Sequence, residues 1–364
     1  MKYSLYLGKI AGIKISVHWT FLILILWIVF SNARSGLAFH EIVWSVTFVL
    51  TIFLCVTLHE LGHALTAQRF KIKTKEISIL PIGGVAQLES IPEKPKEELL
   101  VALAGPAVNV LIAALLYPFV TLKGNVDDLS ALSHIGPENF LLQLMSVNLW
   151  LALFNLIPAF PMDGGRVLRA LLAFKLSHAK ATAIAASVGQ ILAMVFVLLG
   201  FFYNPFLIFI GFFVFLGAQS EVVYAQSKLM LKGFTVMDVL MMDIPIIDAN
   251  ASVKEAAAKL LQSQNKNFVV HQQGKPVGTL SRDQIIKALG EKGEDVRVDR
   301  VKDENMIILS PDMPLEEAWL KLQQEKKPLM LVMSGGNLTG VVDQENVAEF
   351  ILIQTAANNR NKHN

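Results

Sequence analysis

Residues 1–225 contain several stretches that are apolar over lengths that suit a lipid bilayer. A helix needs roughly 20 consecutive apolar residues to cross a hydrocarbon core of about 30 Å. Six segments approach or exceed that length: 15–30, 42–67, 99–122, 140–160, 181–203 and 205–224. The first segment is short, and only a turn near Asn204-Pro205 separates the last two, so the sequence also allows a count of five or seven spans. The sequence therefore predicts an α-helical polytopic membrane domain of about six transmembrane helices over residues 1–225.

Charge is distributed unevenly along the chain. Residues 231–364 contain 34 Asp, Glu, Lys and Arg side chains, whereas residues 1–230 contain 28. This difference predicts a water-soluble C-terminal part behind the membrane domain. The single cysteine, Cys55, excludes a disulfide scaffold. A net charge of only +2 argues against a protein that binds nucleic acid.

Lysine and arginine collect at alternate ends of the predicted spans, thirteen on one side and two on the other. Positively charged flanks stay in the cytoplasm. We therefore expect the N-terminus, the loop after the second span, the segment after the fourth span and the C-terminal domain to be cytoplasmic. The thirteen are Lys2, Lys9, Lys14, Arg69, Lys71, Lys73, Lys75, Lys94, Lys96, Arg166, Arg169, Lys175 and Lys180, and the two are Arg34 and Lys123.

The second span ends in the pattern H-E-x-x-H, with His59, Glu60 and His63. Residues four apart lie on one face of a helix, so the two imidazoles can hold one metal ion while the carboxylate reaches the water that attacks the substrate. The competing interpretation is that these residues only cap the cytoplasmic end of the span. Ionisable groups in an apolar helix are costly unless they are paired or functional, which favours a metal site.

A third ligand is needed, because catalytic zinc usually takes three protein ligands and keeps a fourth position for water. The end of the fourth span, residues 155–166, contains two prolines, two adjacent glycines and Asp163. A helix that is interrupted at membrane depth is tolerated only where its backbone is buried in protein or lines a wet cavity. Asp163 is then expected to face the two histidines from a neighbouring span. Taken alone, an aspartate before Gly-Gly is more typical of a turn.

Three motifs in this order resemble the site-2 proteases, zinc metalloproteases that cut peptide bonds inside the membrane. They are His59-Glu60-Leu61-Gly62-His63, Ala104-Gly105-Pro106-Ala107-Val108-Asn109, and Asn155-Leu156-Ile157-Pro158 through Asp163-Gly164-Gly165. The resemblance covers most of residues 1–225. It implies one zinc ion per chain, bound by His59, His63 and Asp163, with Glu60 as the catalytic base. The expected location is the prokaryotic inner cell membrane.

A helical substrate shields its own peptide bonds, so it must unwind before it is cut. Residues 76–88 alternate like a strand and contain Gly83-Gly84, and an extended substrate can add to such a strand. Similar Gly-Gly strands lie beside the active site in the family that the chain resembles, while a simple cytoplasmic hairpin is the alternative. An amide donor such as Asn155 or Asn109 is expected to help stabilise the oxyanion, although span asparagines are more typical of helix–helix contacts.

Residues 233–355 contain an internal repeat of strand and helix units that resembles a tandem pair of CBS domains, modules that commonly bind adenine nucleotides and regulate a partner domain. Residues 226–232 are the predicted linker and 356–364 the predicted tail. The resemblance points to Ser281 and Asn346 as nucleotide contacts. Each repeat keeps only one of the two expected polar residues, because Gln284 and Asp343 stand at the other positions. Nucleotide binding and a purely structural or homodimerising module therefore both stay open.

Together these observations predict an integral-membrane zinc endopeptidase that cleaves a membrane-spanning protein near its cytoplasmic side, with a cytoplasmic regulatory domain. One alternative is a CBS-regulated membrane transporter, in which polar residues of the spans line an ion path. The other is a non-catalytic protein that binds a membrane protein without cutting it. The concentration of ionisable groups in one set of ligands plus a base argues against the transporter, and the presence of Glu60 argues against the non-catalytic binder.

Overall fold

The computed structural model describes residues 4–81, 83–88, 92, 94–122, 136–263, 265–325 and 327–363. Lys2 and Lys123, which enter the charge comparison, lie outside these residues. The chain divides into two compact units, Met1–Ala225 and Gln226–Asn364. Each has its own buried apolar core.

Seven helices form most of the first unit in the part of the chain that the structure describes. They are α1 Thr20–Arg34, α2 Phe39–Arg69, α3 Pro95–Leu122, α4 Phe140–Asn155, α5 Asp163–Ala173, α6 His178–Phe202 and α7 Phe206–Leu231. Within the described ranges, α2, α3, α6 and α7 are long and apolar enough to cross a membrane, and α1 and α4 are shorter apolar helices. All six apolar segments of the sequence thus contain a helix, which confirms the predicted helical membrane fold.

A four-stranded sheet accompanies these helices. Its strands are β1 Ser4–Ile10, β2 Ile13–His18, β3 Thr74–Leu80 and β4 Gly83–Leu88. They lie in the order β1-β2-β3-β4, and β2 and β3 are parallel whereas the other two pairs are antiparallel. The prediction that a span begins at residue 15 is wrong, because residues 15–18 belong to β2 and the helix begins only at Thr20.

The alternating apolar residues of β2 and β3 explain where this sheet lies. Ile13 and Ile77 are fully buried, and they pack with Leu61 and Ala64 of α2. The polar residues that alternate with these isoleucines along β2 and β3 point to the other face of the sheet, since successive strand residues alternate in direction. The sheet is therefore anchored on the same turns of α2 that carry the H-E-x-x-H pattern.

The second unit repeats one arrangement twice. The first copy contains β5 Ile246–Asp248, α8 Val253–Gln262, β6 Asn267–Gln272, β7 Lys275–Ser281 and α9 Arg282–Glu291. The second contains β8 Ile308–Leu309, α10 Leu315–Glu325, β9 Leu329–Ser334, β10 Asn337–Asp343 and α11 Gln344–His363. The sheets have the matching orders β5-β6-β7 and β8-β9-β10. This confirms the predicted tandem repeat. The segments expected as linker and tail are largely helical, because α7 continues to Leu231 and α11 to His363.

Candidate metal centre

The two histidines of the H-E-x-x-H pattern lie side by side on α2. Their Nε2 atoms are 3.1 Å apart, and both residues are buried. The rings meet edge to face, with centroids 4.7 Å apart. This geometry follows from the helix itself, since a spacing of four residues brings side chains onto one face. The ring edges that carry Nε2 therefore converge on one point.

Asp163 reaches the same point from a different part of the chain. It is the first residue of α5 and is buried, and its Oδ2 atom lies 3.2 Å from Nε2 of His59 and 3.1 Å from Nε2 of His63. The helix before it, α4, ends at Asn155, and the connecting segment contains Pro158 and a cis Phe160–Pro161 peptide bond. Proline cannot continue a helix without loss of a backbone hydrogen bond. The break lets the chain return with Asp163 beside the histidines, as the sequence predicted.

The other nitrogen of each ring is held by an acceptor on α3. Nδ1 of His63 lies 2.7 Å from the backbone carbonyl oxygen of Val101. Nδ1 of His59 faces Oδ1 of Asn109. A carbonyl oxygen can only accept, so both Nδ1 atoms carry the proton, and in a neutral imidazole the Nε2 atom then presents a lone pair.

These observations test whether the three residues fit a zinc ion. Three acceptor atoms converge, and their separations of 3.1–3.2 Å are close to the roughly 3.3 Å that a tetrahedral ion with bonds of about 2.0–2.1 Å requires. Two neutral imidazoles and one carboxylate supply no proton donor at this point, so their lone pairs face one another unless a metal ion lies between them or one imidazole is protonated. The donor set therefore fits zinc.

Gly105 allows α3 to approach the two imidazoles. A Cβ atom built on Gly105 would lie 2.6 Å from Cε1 of His63 and 2.7 Å from Cε1 of His59, far inside van der Waals contact. Any larger residue would push α3 away from α2. Gly105 is the second residue of the Ala104–Asn109 motif, so the motif contributes both a close packing surface and an acceptor for His59.

The carboxylate of the pattern, Glu60, lies toward the sheet. A Cβ atom built on Gly84 of β4 would be 2.7 Å from Cγ of Glu60. The backbone of β4 thus passes directly beside this side chain. Within the described residues β4 is the last strand of the sheet, so one of its edges is not paired with another described strand.

Two asparagines expected near the substrate have different surroundings from each other. Asn109 has no exposed surface, and its Oδ1 and Nδ2 atoms are engaged by His59 and by Oδ1 of Asn148. It lies behind the ligand, which differs from the oxyanion role expected from the sequence. Asn155 is only partly buried and donates from Nδ2 to the backbone carbonyl of Leu151, 3.0 Å away.

The two residues expected to contact a nucleotide both support local structure in the second unit. Ser281 is the N-cap of α9, and its Oγ accepts a hydrogen bond from the backbone N–H of Gln284. Asn346 donates from Nδ2 to the backbone carbonyl of Val239. The hydroxyl and the amide are thus both in use within the CBS fold.

Sequence reasoning missed a largely buried ion cluster in the first unit. Arg169 of α5 is fully buried, and its guanidinium carbon lies 5.0 Å from the centre of the Phe160 ring. It donates a hydrogen bond of 2.7 Å from Nε to Glu98 of α3 and another of 2.7 Å from Nη1 to Glu221 of α7. His178, at the start of α6, is 3.7 Å from Glu98. In the sequence, Arg169 was interpreted only as one of the basic residues that flank the predicted spans. The available signal was Glu221, an acidic residue in an otherwise apolar segment.

Comparison with family models gives two matches. Residues 47–131 and 124–196 match the model of peptidase family M50. Residues 236–291 and 298–353 each match the model of the CBS domain.

Individual proteins are similar to the chain over much of its length. A zinc metalloprotease of Methanocaldococcus jannaschii is 33% identical over 356 residues, which cover 97% of this chain and 97% of that protein. A candidate zinc metalloprotease of Synechocystis is 27% identical over 379 residues, which cover 98% of this chain and 97% of that protein. A solved site-2 protease structure from Methanocaldococcus jannaschii is 38% identical with a TM-score of 0.44, and covers 60% of this chain and 95% of that one.

Proposed function

The chain belongs to peptidase family M50, the family of the site-2 proteases, and on this premise we propose that His59, His63 and Asp163 hold the catalytic zinc and that Glu60 is the general base. The protein is an integral-membrane zinc metalloendopeptidase that carries a CBS pair. Its substrate is a membrane protein. Residues 1–225 form the protease domain in this proposal, and residues 233–355 form the CBS pair behind the linker 226–232 and before the tail 356–364.

The observation that carries the proposed ligand set is the convergence of three acceptors without a donor. The Nε2 atoms of His59 and His63 and Oδ2 of Asp163 are mutually 3.1–3.2 Å apart, and both Nδ1 protons point away from them. A metal cation, or a proton on one of the imidazoles, relieves the repulsion between these lone pairs, and the first of these is the basis of the proposal. Three ligands also leave one tetrahedral position for water or substrate.

In this mechanism the protein side chains position the reactants and move one proton. When bound, zinc supplies Lewis acidity, which brings the pKa of a water molecule toward about 7 and polarises the scissile carbonyl. Glu60 takes the proton of the attacking water and passes it to the leaving amine. Asn155 lies at the end of α4, and we assign its amide to the substrate side of the centre, where a donor would stabilise the oxyanion.

The proposed substrate-binding element is the edge of β4 that pairs with no other described strand. An extended segment that pairs with Gly83 and Gly84 would lie near Glu60, because Gly84 is so close to that side chain that a Cβ atom on it would be 2.7 Å from Cγ of Glu60. Backbone pairing would hold the unwound substrate in one register and expose its peptide bond. Gly83 has a φ of +135°, a conformation that other residues rarely adopt, so the start of this strand depends on glycine.

The charge distribution supports one orientation in the bilayer. We assign the N-terminus, the loop that carries β3 and β4, and the CBS pair to the cytoplasm of a prokaryotic cell, with the protease domain in the inner membrane. Large apolar side chains such as Leu115 and Phe209 are more than half exposed on α3 and α7, as expected for helices that contact lipid. Cleavage would then occur near the cytoplasmic side of the substrate.

The CBS pair is assigned a regulatory role, with an adenine nucleotide as the proposed ligand and Ser281 and Asn346 as its proposed contacts. A homodimer through the CBS pair is the alternative use of this module. Calorimetric titration of the full chain with AMP, ADP and ATP tests the nucleotide, since heat of binding is expected with at least one of them. Absence of heat with all three would remove nucleotide control and leave the dimer, which sedimentation of the purified protein measures.

Metal content tests the zinc site without knowledge of the substrate. Purified, detergent-solubilised wild type is expected to contain about one zinc per chain, and Asp163→Ala to contain much less. Asp283→Ala is the matched control, because Asp283 also lies in the first turn of a helix but is exposed in the CBS pair. Zinc unchanged in Asp163→Ala would show that the third ligand lies elsewhere.

Glu60→Gln separates the enzyme from a protein that only binds its partner. This variant is expected to keep its zinc and to lose cleavage of a membrane-protein substrate, because the amide cannot accept the water proton. Unchanged cleavage would reject Glu60 as the base. A well-folded wild type that takes up no zinc even after resupply would reject the zinc site itself, in favour of a transporter or a non-catalytic binder.

A further inference from the structure

Behind the candidate ligand His59 lies a chain of hydrogen bonds that crosses three helices. Nδ1 of His59 on α2 faces Oδ1 of Asn109 on α3, and Nδ2 of Asn109 donates to Oδ1 of Asn148 on α4 over 2.9 Å. Both asparagines have no exposed surface. Neither can reach a substrate, so their polarity serves the interior of the protein.

The last residue of this hydrogen-bond series, Asn148, determines which group donates and which accepts along it. Nδ2 of Asn148 donates to the backbone carbonyl of Leu144 over 2.8 Å and lies 3.5 Å from Sγ of Cys55. The carbonyl of Leu144 can only accept, so the amino group of Asn148 must point toward it and the amide oxygen must point toward Asn109. Asn109 then has to present its amino group to Asn148 and its oxygen to His59.

The direction of the amides decides which nitrogen of His59 is available to a metal. An oxygen beside Nδ1 requires a proton there, which leaves the lone pair on Nε2, toward His63 and Asp163. If the amide of Asn109 were reversed, its amino group would face Nδ1, the ring proton would move to Nε2, and His59 could not act as a ligand. Asn148 excludes that arrangement because its own oxygen accepts from Asn109.

His63 needs no such support. Its Nδ1 atom is held by the backbone carbonyl of Val101, whose polarity cannot be reversed. The two histidines of one motif are therefore oriented by different means, one by the backbone and one by two side chains that come from α3 and α4.

We propose that Asn148 is a positioning residue for the metal centre, which acts through Asn109 to fix the tautomer of His59. The proposal rests on the proposed zinc site, and it adds a residue on α4 that no motif of the sequence identified. Loss of the amide is expected to weaken zinc binding by about 10- to 100-fold, the usual effect of removing a partner that orients a metal ligand.

The test compares zinc dissociation constants of full-length, detergent-solubilised variants by competition with a chelator. Asn148→Leu removes the amide at similar volume. Asn148→Ser can keep a bond to the carbonyl of Leu144 but is too short to reach Asn109, so it remains informative where Asn148→Leu fails to fold. Asn148→Asp keeps an oxygen toward Asn109 and is expected to restore most of the affinity. Ser146→Ala is the matched control, because Ser146 on α4 bonds only the carbonyl of Leu142, four residues back.

A second comparison shows whether Asn148 acts through Asn109. The double variant Asn109→Leu/Asn148→Leu is expected to bind zinc no more weakly than Asn109→Leu alone, since Asn109→Leu already removes the link between Asn148 and His59. Thermal unfolding of the metal-free proteins measures any purely structural effect. Wild-type zinc affinity in both Asn148→Leu and Asn148→Ser would overturn the positioning role of Asn148. Losses of affinity that add in the double variant would also overturn it, and in both cases the proposed zinc site would be retained. Absence of zinc from the wild type would instead reject the site itself.

Discussion

Replacement of Gly105 by alanine is the most direct test of how α3 shapes the metal centre. The added methyl would lie 2.6 Å from Cε1 of His63 and 2.7 Å from Cε1 of His59, whereas ordinary contact begins at 3.4 Å. The separation from Cε1 of His63 is therefore about 0.8 Å too short, and Nε2 of His63 would lie closer still, so either α3 retreats or the ring rotates. Retreat of α3 would also lengthen the 2.7 Å hydrogen bond from His63 to Val101, which lies one turn earlier on the same helix.

Two energies of opposite sign make the outcome informative. Alanine favours a helix over glycine by about 1 kcal/mol, so helix propensity alone predicts that Gly105→Ala stabilises the protein. Overpacking of a close contact costs about 1–3 kcal/mol, which exceeds that gain. A ligand displaced by close to 1 Å is expected to lose zinc affinity by about 10- to 100-fold.

The assay is zinc affinity by chelator competition, together with thermal unfolding of the metal-free protein in detergent. Gly290→Ala is the matched control, because Gly290 is also inside a helix, α9, but its added Cβ would meet no atom within 4 Å. The control is expected to be as stable as the wild type or more so, with unchanged zinc affinity. If Gly105→Ala behaves in the same way as Gly290→Ala, the close approach of α3 does not hold the imidazoles in place.

Three further changes have specific expected results. Arg169→Met leaves buried Glu98 and partly buried Glu221 without their partner and should cost about 3–5 kcal/mol, measured as a lower unfolding temperature. Arg169→Lys should not restore the stability, because lysine lacks the planar set of donors that reaches both carboxylates, and full rescue by lysine would contradict this explanation. Gly84→Val places a side chain against Glu60 and should lower the cleavage rate by about 100-fold with zinc retained, whereas an unchanged rate would count against β4 as the substrate edge. Ser281→Ala removes a helix cap and should destabilise the CBS pair by about 1 kcal/mol with zinc content unchanged; an unchanged unfolding temperature would contradict the capping role.

The residues of the candidate metal centre could be named from the sequence because their chemistry leaves a local signature. His59, Glu60 and His63 follow helical spacing, and Asp163 stands where prolines break an apolar segment. The spacing alone did not decide whether Asp163 lies in a turn or at the site. The structure brings its Oδ2 atom within 3.2 Å of both histidines, a long-range contact that depends on the packing of α5 against α3.

The first strands were missed because two patterns overlap at the N-terminus. Ile13, Ile15 and Val17 alternate with polar residues, which is typical of a strand, but they run directly into the apolar helix that follows. Hydropathy merges them into one span. The distinction depends on partners, since Ile15 pairs with Ile77 of β3, which follows only after α1 and α2. No local property of the N-terminal segment encodes that partner.

The role of Asn109 illustrates a different limit. The sequence shows that Asn109 lies in a span. An asparagine is equally suited to donate a hydrogen bond to a substrate and to hold a metal-binding histidine in place, so its residue type does not distinguish the two roles. Only the positions of His59 and Asn148 on either side of its amide distinguish the two roles. Sequence reasoning can therefore name a polar residue in a membrane helix without deciding which way it faces.

The Arg169 cluster has a consequence for how the protein is made. Its members are contributed by α3, α5, α6 and α7, so the acidic group of Glu221 is synthesised after both Glu98 and Arg169. Charges in apolar surroundings are costly until they are paired. Glu98 and Arg169 can pair as soon as α3 and α5 are both present, but Nη1 of Arg169 has no carboxylate from Glu221 until α7 has been made. Chains that end before α7 should therefore hold α5 in the first unit less stably than the full chain does.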